Sequence, residues 1–181
     1  TIVERLGYSA KIINYKYPNE YHLAESQKQS PYASFKLPFL TRLRMAVYNR
    51  TIAKKVQSKK VSLFKEAQKE LLEQTRKYPN QQSLLDDPPF FDVYLTGSDQ
   101  VWNPRYMYSD LTYLLDFIHG VPKVAYSASF GTTCLSEEYK NIYRPLLEEY
   151  NSISLREQSG VQMLKDICGI DAQCTCDPTL L

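Results

Sequence analysis

From residue 91 onward, short apolar runs alternate with longer amphipathic ones, and this rhythm leaves the chain few architectures. Phe91 to Thr96 reads as a short apolar strand stopped at Gly97. Leu114 to Ile118, Val121 to Ser127, Ser152 to Leu155 and Ala172 to Cys176 read as further strands. Tyr139, Ile142, Tyr143, Leu146, Leu147 and Tyr150 recur at helical spacing and mark one face of a helix. Pro145 either bends that helix or sits near its start. A second helix is expected from Glu157 to Ile167. Parallel strands need a crossover, and helices make the crossover, so the alternation predicts an α/β fold with a mainly parallel sheet covered by helices. In such sheets ligands bind outside the carboxyl ends of the strands. The residues just after each strand are therefore the first place to look for chemistry.

The first half is less regular. Leu6-Gly7-Tyr8 reads as a helix end with a glycine stop, and Ser9 to Tyr15 as a short strand. Domains of this kind begin with a strand, so an opening on a helix tail predicts that residues precede Thr1. Residues 17–35 carry few periodic apolars, whereas 36–60 are basic and partly helical, with Phe39, Leu43 and Val47 at helical spacing. Val61, Phe64, Leu71 and Leu72 predict a helix running to Thr75, with Lys69 and Glu73 one turn apart on its other face. Pro79 and Asn80 stop it, and Asp86-Asp87-Pro88-Pro89 reads as a loop. Residues 17–80 are thus expected to be a basic helical excursion within one domain spanning 1–181.

Charge is uneven. From Ser26 to Lys65 there are ten Lys or Arg and no Asp or Glu, so this stretch carries +10 in a chain of +2. Such asymmetry either draws the protein to anionic lipid, or to a lipid-linked phosphate-bearing acceptor, or is an ordinary solvated face.

Several classes fall away. The 6 glycines include no G-x-G pair, which removes the dinucleotide fingerprint and the phosphate-cradling loop. Phosphate would have to be bound by side chains or isolated helix ends. No apolar run approaches the roughly 18–20 residues of a bilayer span, and Glu4 and Arg5 interrupt any signal-like start. A cytoplasmic protein is the expectation. The 4 cysteines include Cys174 and Cys176, whose spacing with no nearby His fits no common zinc site. They are expected to be structural and buried on one strand face, and no metal is expected. His22 and His119 have no partner at a catalytic spacing.

Four strand-end segments carry a resemblance. Phe91-Asp92-Val93 followed by Gly97-Ser98-Asp99-Gln100-Val101-Trp102-Asn103 resembles the polysaccharide pyruvyl transferase family. Tyr126-Ser127-Ala128-Ser129-Phe130-Gly131 is similar to its Y-A-A-S-F-G motif, with Ser127 replacing the first alanine. Ser154-Leu155-Arg156-Glu157-Gln158-Ser159-Gly160 resembles its I-S-x-R-E-x-S-G segment, and Asp177-Pro178-Thr179-Leu180-Leu181 its D-P-T-L-L. The likeness covers mainly residues 91–181. It implies a Rossmann-like, doubly wound, mainly parallel domain, one half of a GT-B-like two-domain enzyme. It also implies transfer of pyruvate from phosphoenolpyruvate to two sugar hydroxyls as a cyclic ketal, with no other cofactor. The family's opening N-Y-G-like turn and second half are not in this sequence, so this chain alone is expected to be inactive.

The implied chemistry needs fixed cations for the donor's phosphate and carboxylate, an acid for C3 and a base for the sugar hydroxyl. Arg156, after a strand and at a helix start, is the candidate cation, or else a brace paired with Glu157 or Asp177. Asp99 either orients a sugar hydroxyl or bonds its own turn. Trp102 either offers a face to a sugar ring or plugs the domain. Gln100 and Asn103 either bond sugar hydroxyls or hold the loop. Ser98, Glu157 and Asp177 complete the expected lining, and Ser127, Ser129 and Gly131 form a small-residue turn where backbone can approach a ligand. The implied partners are phosphoenolpyruvate and a sugar or lipid-linked oligosaccharide acceptor, with no nucleic acid; the basic stretch, unless it is an ordinary solvated face, adds peripheral membrane contact at the inner face. Two rival readings remain: a glycosyltransferase of the same architecture using a nucleotide-sugar, and a non-enzymatic module binding through residues 28–65.

Overall fold

A computed structural model describes residues 2–16, 56, 58–63, 66, 73–107 and 110–180. The chain divides into two compact units, Thr1–Tyr78 and Pro79–Leu181.

In the first unit, helix α1 (Ile2–Arg5) leads to strand β1 (Ile12–Tyr15), which pairs in parallel with β2 (Gln74–Tyr78). Gly7 takes a φ of 87°, as the turn out of α1 requires. Helical conformation recurs at residues 56, 58–63 and 66, and the remaining expectations for 17–72 lie outside the described residues. β2 corrects the expectation of a helix reaching Thr75. Gln74-Thr75-Arg76-Lys77-Tyr78 has little apolar content to fix its own conformation, and pairing decides it. Ile12 N donates to Glu73 O at 2.8 Å and Lys16 N to Tyr78 O at 2.8 Å, while Asn14 N donates to Thr75 Oγ1 at 3.1 Å. Glu73 pairs with Lys11 at 2.9 Å. Tyr78 is buried with the Arg76 guanidinium 4.7 Å over its ring.

The second unit runs α2 (Gln81–Asp86), β3 (Tyr94–Thr96), α3 (Pro104–Met107), a 3-10 turn (Thr112–Leu114) and β4 (Lys123–Ala128), then α4 (Glu137–Leu147), β5 (Ser152–Leu155), α5 (Gln158–Cys168), β6 (Gln173–Cys174) and a closing 3-10 turn (Pro178–Leu180). α2 was not expected. Asn80 is a start signal as well as a stop: its side chain accepts from Ser83 N at 2.8 Å, and Ser83 Oγ accepts from Asn80 N. The expected strand Leu114–Ile118 is instead the 3-10 turn and its continuation, with Leu115 left-handed at φ 56°. Leu114, Leu115, Phe117 and Ile118 are all buried. An apolar run this short signals burial, and its periodicity cannot tell strand from turn.

The four strands form one parallel sheet in the order β3-β4-β5-β6. Sequential order means that within this unit the winding proceeds in one direction, and the mixed α/β architecture with parallel sheets fits a Rossmann-like fold. Side chains alternate as the pleat demands. Tyr94, Thr96, Lys123, Ala125, Ile153 and Leu155 share the buried face, while Leu95 on the other is 54% exposed. The buried face meets α5, where the Cβ position of Gly160 lies 3.6 Å from Leu155 and Phe130 side chains. Phe130 stacks on Tyr143 of α4, and the Trp102 ring packs against Phe130 and Tyr150. Pro145 lies inside α4 near its carboxyl end, not near its start. Cys174 and Cys176 are exposed, which corrects the expectation of buried thiols. β6 is a two-residue strand at the sheet edge, and a strand so placed shelters little. Among the described residues no helix is long and apolar enough to cross a membrane.

Candidate functional site

The strand ends converge. At the exit of β3, Asp99 bridges in parallel to Ala128 at the end of β4, and Ser129 N donates to Asp99 O at 3.0 Å. Trp102 N donates to Ser129 O at 3.1 Å, so the 97–103 loop is stitched to the 127–131 turn by backbone bonds. Arg156 N donates to Ala128 O at 2.9 Å and Thr175 N to Leu155 O at 2.8 Å, which carries the edge across to β6. Asp99, Ser129, Arg156 and Asp177 thus stand on one edge of the sheet, where such folds bind ligands.

Two glycines make this close approach feasible. Gly97 has φ 111°, and a Cβ there would land on the Tyr126 carbonyl oxygen. Gly131 has φ 60°, and a Cβ there would strike the Asn103 and Gln100 side-chain amides. Any larger residue would push the two loops apart. The backbone is also left-handed at Asp99 (φ 72°) and Ser127 (φ 52°), unusual for residues with a side chain.

Arg156 lies at the centre of the edge, its side chain 26% exposed. Nε donates to Glu157 Oε1 at 3.1 Å, and Nη1 faces both Asp99 Oδ1 and Asp177 Oδ2 at 3.4 Å. The Nη1 distances are long for charge-assisted bonds, which run about 2.7–2.9 Å. Nη2 has no partner among the described residues. One cation therefore stands among three carboxylates, and the bracing alternative for Arg156 is what the side-chain geometry displays. Glu157 is the N-cap residue of α5 and makes no side-chain cap bond, and Gly160 N donates to Glu157 O at 3.0 Å.

Asp177 is held more firmly. Its Oδ1 accepts from Thr179 N at 2.9 Å and from Thr179 Oγ1 at 2.7 Å. The Thr179 amide and hydroxyl, then the Ser98 hydroxyl and Arg156, hold its carboxyl below the usual carboxylate range. Asp99 is open to solvent, its side chain 82% exposed.

Other expected site residues turn inward. Trp102 is 0% exposed, and its Nε1 donates to Tyr113 O at 3.1 Å, so it plugs the domain and offers no face to a sugar. Asn103 is buried; its Nδ2 donates to Gln100 Oε1 at 2.9 Å and its Oδ1 accepts from Arg105 N at 3.0 Å. Asn103 and Gln100 hold the loop. Ser127 is buried, its Oγ donating to Thr175 O at 3.1 Å and its N to Ser154 Oγ at 3.0 Å. Ser129 is buried too, its Oγ accepting from Gly131 N at 3.0 Å. His119 meets Glu149 at 3.3 Å, beside Lys123 at the amino end of β4. Three residues escaped the sequence reading. Ser154 and Thr175 brace β5 to β6, their hydroxyls 3.0 Å apart, and Thr179 fixes Asp177. Only the last left a signal, since Asp followed two residues later by a hydroxyl residue is a turn pattern.

Among the described residues, no group of three His, Cys, Asp or Glu is disposed to hold a metal ion. Comparison with curated proteins and with solved structures gives no match. A family model described as polysaccharide pyruvyl transferase matches residues 1–181. That match covers the whole chain, including the four strand-end motifs that meet at this edge, and the chain belongs to the polysaccharide pyruvyl transferase family.

Proposed function

We propose that this chain carries the strand-end site of an enzyme that moves pyruvate from phosphoenolpyruvate to two hydroxyls of a sugar. One observation supports this most: Asp99, Arg156, Glu157 and Asp177 gather at the edge formed by the family's four motifs, with one guanidinium donor still unpartnered among the described residues. In this reading Nη2 and the α5 amides meet the donor's phosphate or carboxylate, and the anion takes the place of one loosely held carboxylate on Nη1. The exposed Asp99 accepts a proton from the attacking sugar hydroxyl.

The atoms balance as follows. The first hydroxyl oxygen bonds C2 of the enol, while C3 takes a proton and becomes a methyl group. The C2–phosphate oxygen bond breaks, and the second hydroxyl closes on C2. One hydroxyl proton is matched by the proton gained at C3; the other leaves with inorganic phosphate. The acceptor is a polysaccharide or its lipid-linked precursor, handled on the cytoplasmic side, where the donor is made. Two Rossmann-like halves facing a GT-B-like cleft would supply the rest of the site.

The test is phosphate release from phosphoenolpyruvate by the full-length protein with a sugar acceptor, together with detection of the ketal. Asp99→Asn should lower kcat by about 10²–10⁴, the range for loss of a positioned base, and leave folding intact. Consumption of a nucleotide-sugar in place of phosphoenolpyruvate would reject this reading for the glycosyltransferase one.

A further inference from the structure

We propose that Thr179 is a positioning residue that acts through Asp177 to orient the Arg156 guanidinium for the anionic donor, an inference that rests on the donor-binding role given to Arg156 above. Thr179 spends both its backbone N–H and its hydroxyl on a single oxygen, Asp177 Oδ1, at 2.9 and 2.7 Å. These bonds fix the plane of the carboxylate and leave Oδ2 directed at Arg156 Nη1, 3.4 Å away. A carboxylate held this way cannot swing to follow the arginine.

The consequence lies at the guanidinium. Arg156 has a planar fork, so its usefulness to a phosphate or carboxylate depends on how that plane is set. Asp99 opposes Asp177 across the same nitrogen but is open to solvent, while Glu157 takes Nε. Of the three carboxylates, Asp177 is therefore the least free to move, and the other two adjust around it. Thr179 itself is exposed and lies on a short closing turn, Pro178–Leu180, with no part in the core. Its hydroxyl bonds no group but Asp177 among the described residues. The two bonds close a local turn, and that turn is what holds the Asp177 carboxylate in one orientation towards Arg156.

The experiment compares Thr179→Val and Thr179→Ser in the full-length protein. Valine keeps the backbone N–H and the branched shape but removes the hydroxyl; serine keeps the hydroxyl. Two quantities are read: the titration of the Asp177 carboxyl by carbon NMR, and the pH dependence of phosphate release from phosphoenolpyruvate. Valine should move the Asp177 midpoint upward and carry the acid limb of kcat/KM in the same direction. It should raise KM for phosphoenolpyruvate about tenfold, as expected for one hydrogen bond to a charged group, with kcat little changed. Serine should restore both. An unchanged Asp177 titration in the valine variant, or serine behaving as valine does, overturns the proposal. So does a shifted titration with wild-type KM and acid limb, which leaves the pyruvyl transfer reading intact. If the wild-type protein does not consume phosphoenolpyruvate, that reading fails separately. The positioning claim is then decided by whether valine shifts the Asp177 midpoint and weakens binding of inorganic phosphate, with serine restoring both.

Discussion

The two ends of the four-stranded sheet each hold a cation against carboxylate, in opposite styles. At the amino end of β4, Lys123 is 1% exposed and its Nζ meets Glu149 Oε2 at 2.6 Å, with His119 closing on the same carboxylate at 3.3 Å. Burial pushes the Glu149 carboxyl up, but the Lys123 bond and charge, helped by His119, hold it below its ordinary value. At the carboxyl end, Arg156 is half-buried and faces three carboxylates at 3.1–3.4 Å. The first cluster is short and paired, as a buried charge must be. The second is looser and has more acids than its cation can satisfy. Under the reading proposed above, an incoming anion displaces one of these carboxylates into water, and the exposed Asp99 is the one that leaves at least cost. The difference separates a buried ion pair from a solvent-facing cluster at the strand ends.

The contrast is breakable by substitution. Arg156→Ala should reduce phosphate release about 10²–10³-fold, by comparison with loss of one preorganised donor, while thermal unfolding stays near wild type. Lysine there should recover only part of the loss, since a point charge cannot reproduce the fork. Wild-type turnover in the alanine variant, or immediate unfolding, would make the two clusters alike.

Glu149→Ala should do the reverse, costing about 3 kcal/mol of stability by stranding buried Lys123, as measured by urea unfolding. Lys123→Met should cost less, about 1–2 kcal/mol, because Glu149 can turn to water and methionine fills the volume. If both substitutions cost the same, the burial asymmetry between the partners has no energetic weight.

The smallest effect concerns acid. Asp177 has its folded value depressed below the ordinary 3.8. Its contribution to stability is then present above that unfolded value and lost as pH falls through the folded one. Asp177→Asn should flatten this last acid-side loss by lowering stability slightly at neutral pH while leaving the acid end near wild type. An unchanged acid limb of the stability curve would show that Thr179 and Arg156 do not hold the carboxylate as described.

Much of the second unit was legible because its signals are local. β5 has the expected bounds, α4 and α5 follow the apolar spacing within a few residues, and the motif segments fall after their strands. Local signals failed where a neighbour made the choice. Gln74–Tyr78 is a strand because β1 offers it partners, and Leu114–Ile118 is buried without being a strand. Trp102 and Asn103 share a motif with Asp99 and yet turn into the core, since a loop folded against Ser129 and Gly131 has an inside and an outside that sequence does not label.

The sequence by itself determined the α/β alternation, the strand-end position of the chemistry-bearing residues and the family to which they belong. It could do so because periodicity, turn residues and motif spacing are properties of neighbours along the chain. Only the tertiary structure decided that Arg156 is shared among Asp99, Glu157 and Asp177, that Thr179 fixes one of them, and that Lys123 is buried against Glu149. Arg156 is separated from Asp99 by 57 residues and from Asp177 by 21, and bonds across such spans exist only once a parallel sheet has brought its strand ends to one edge.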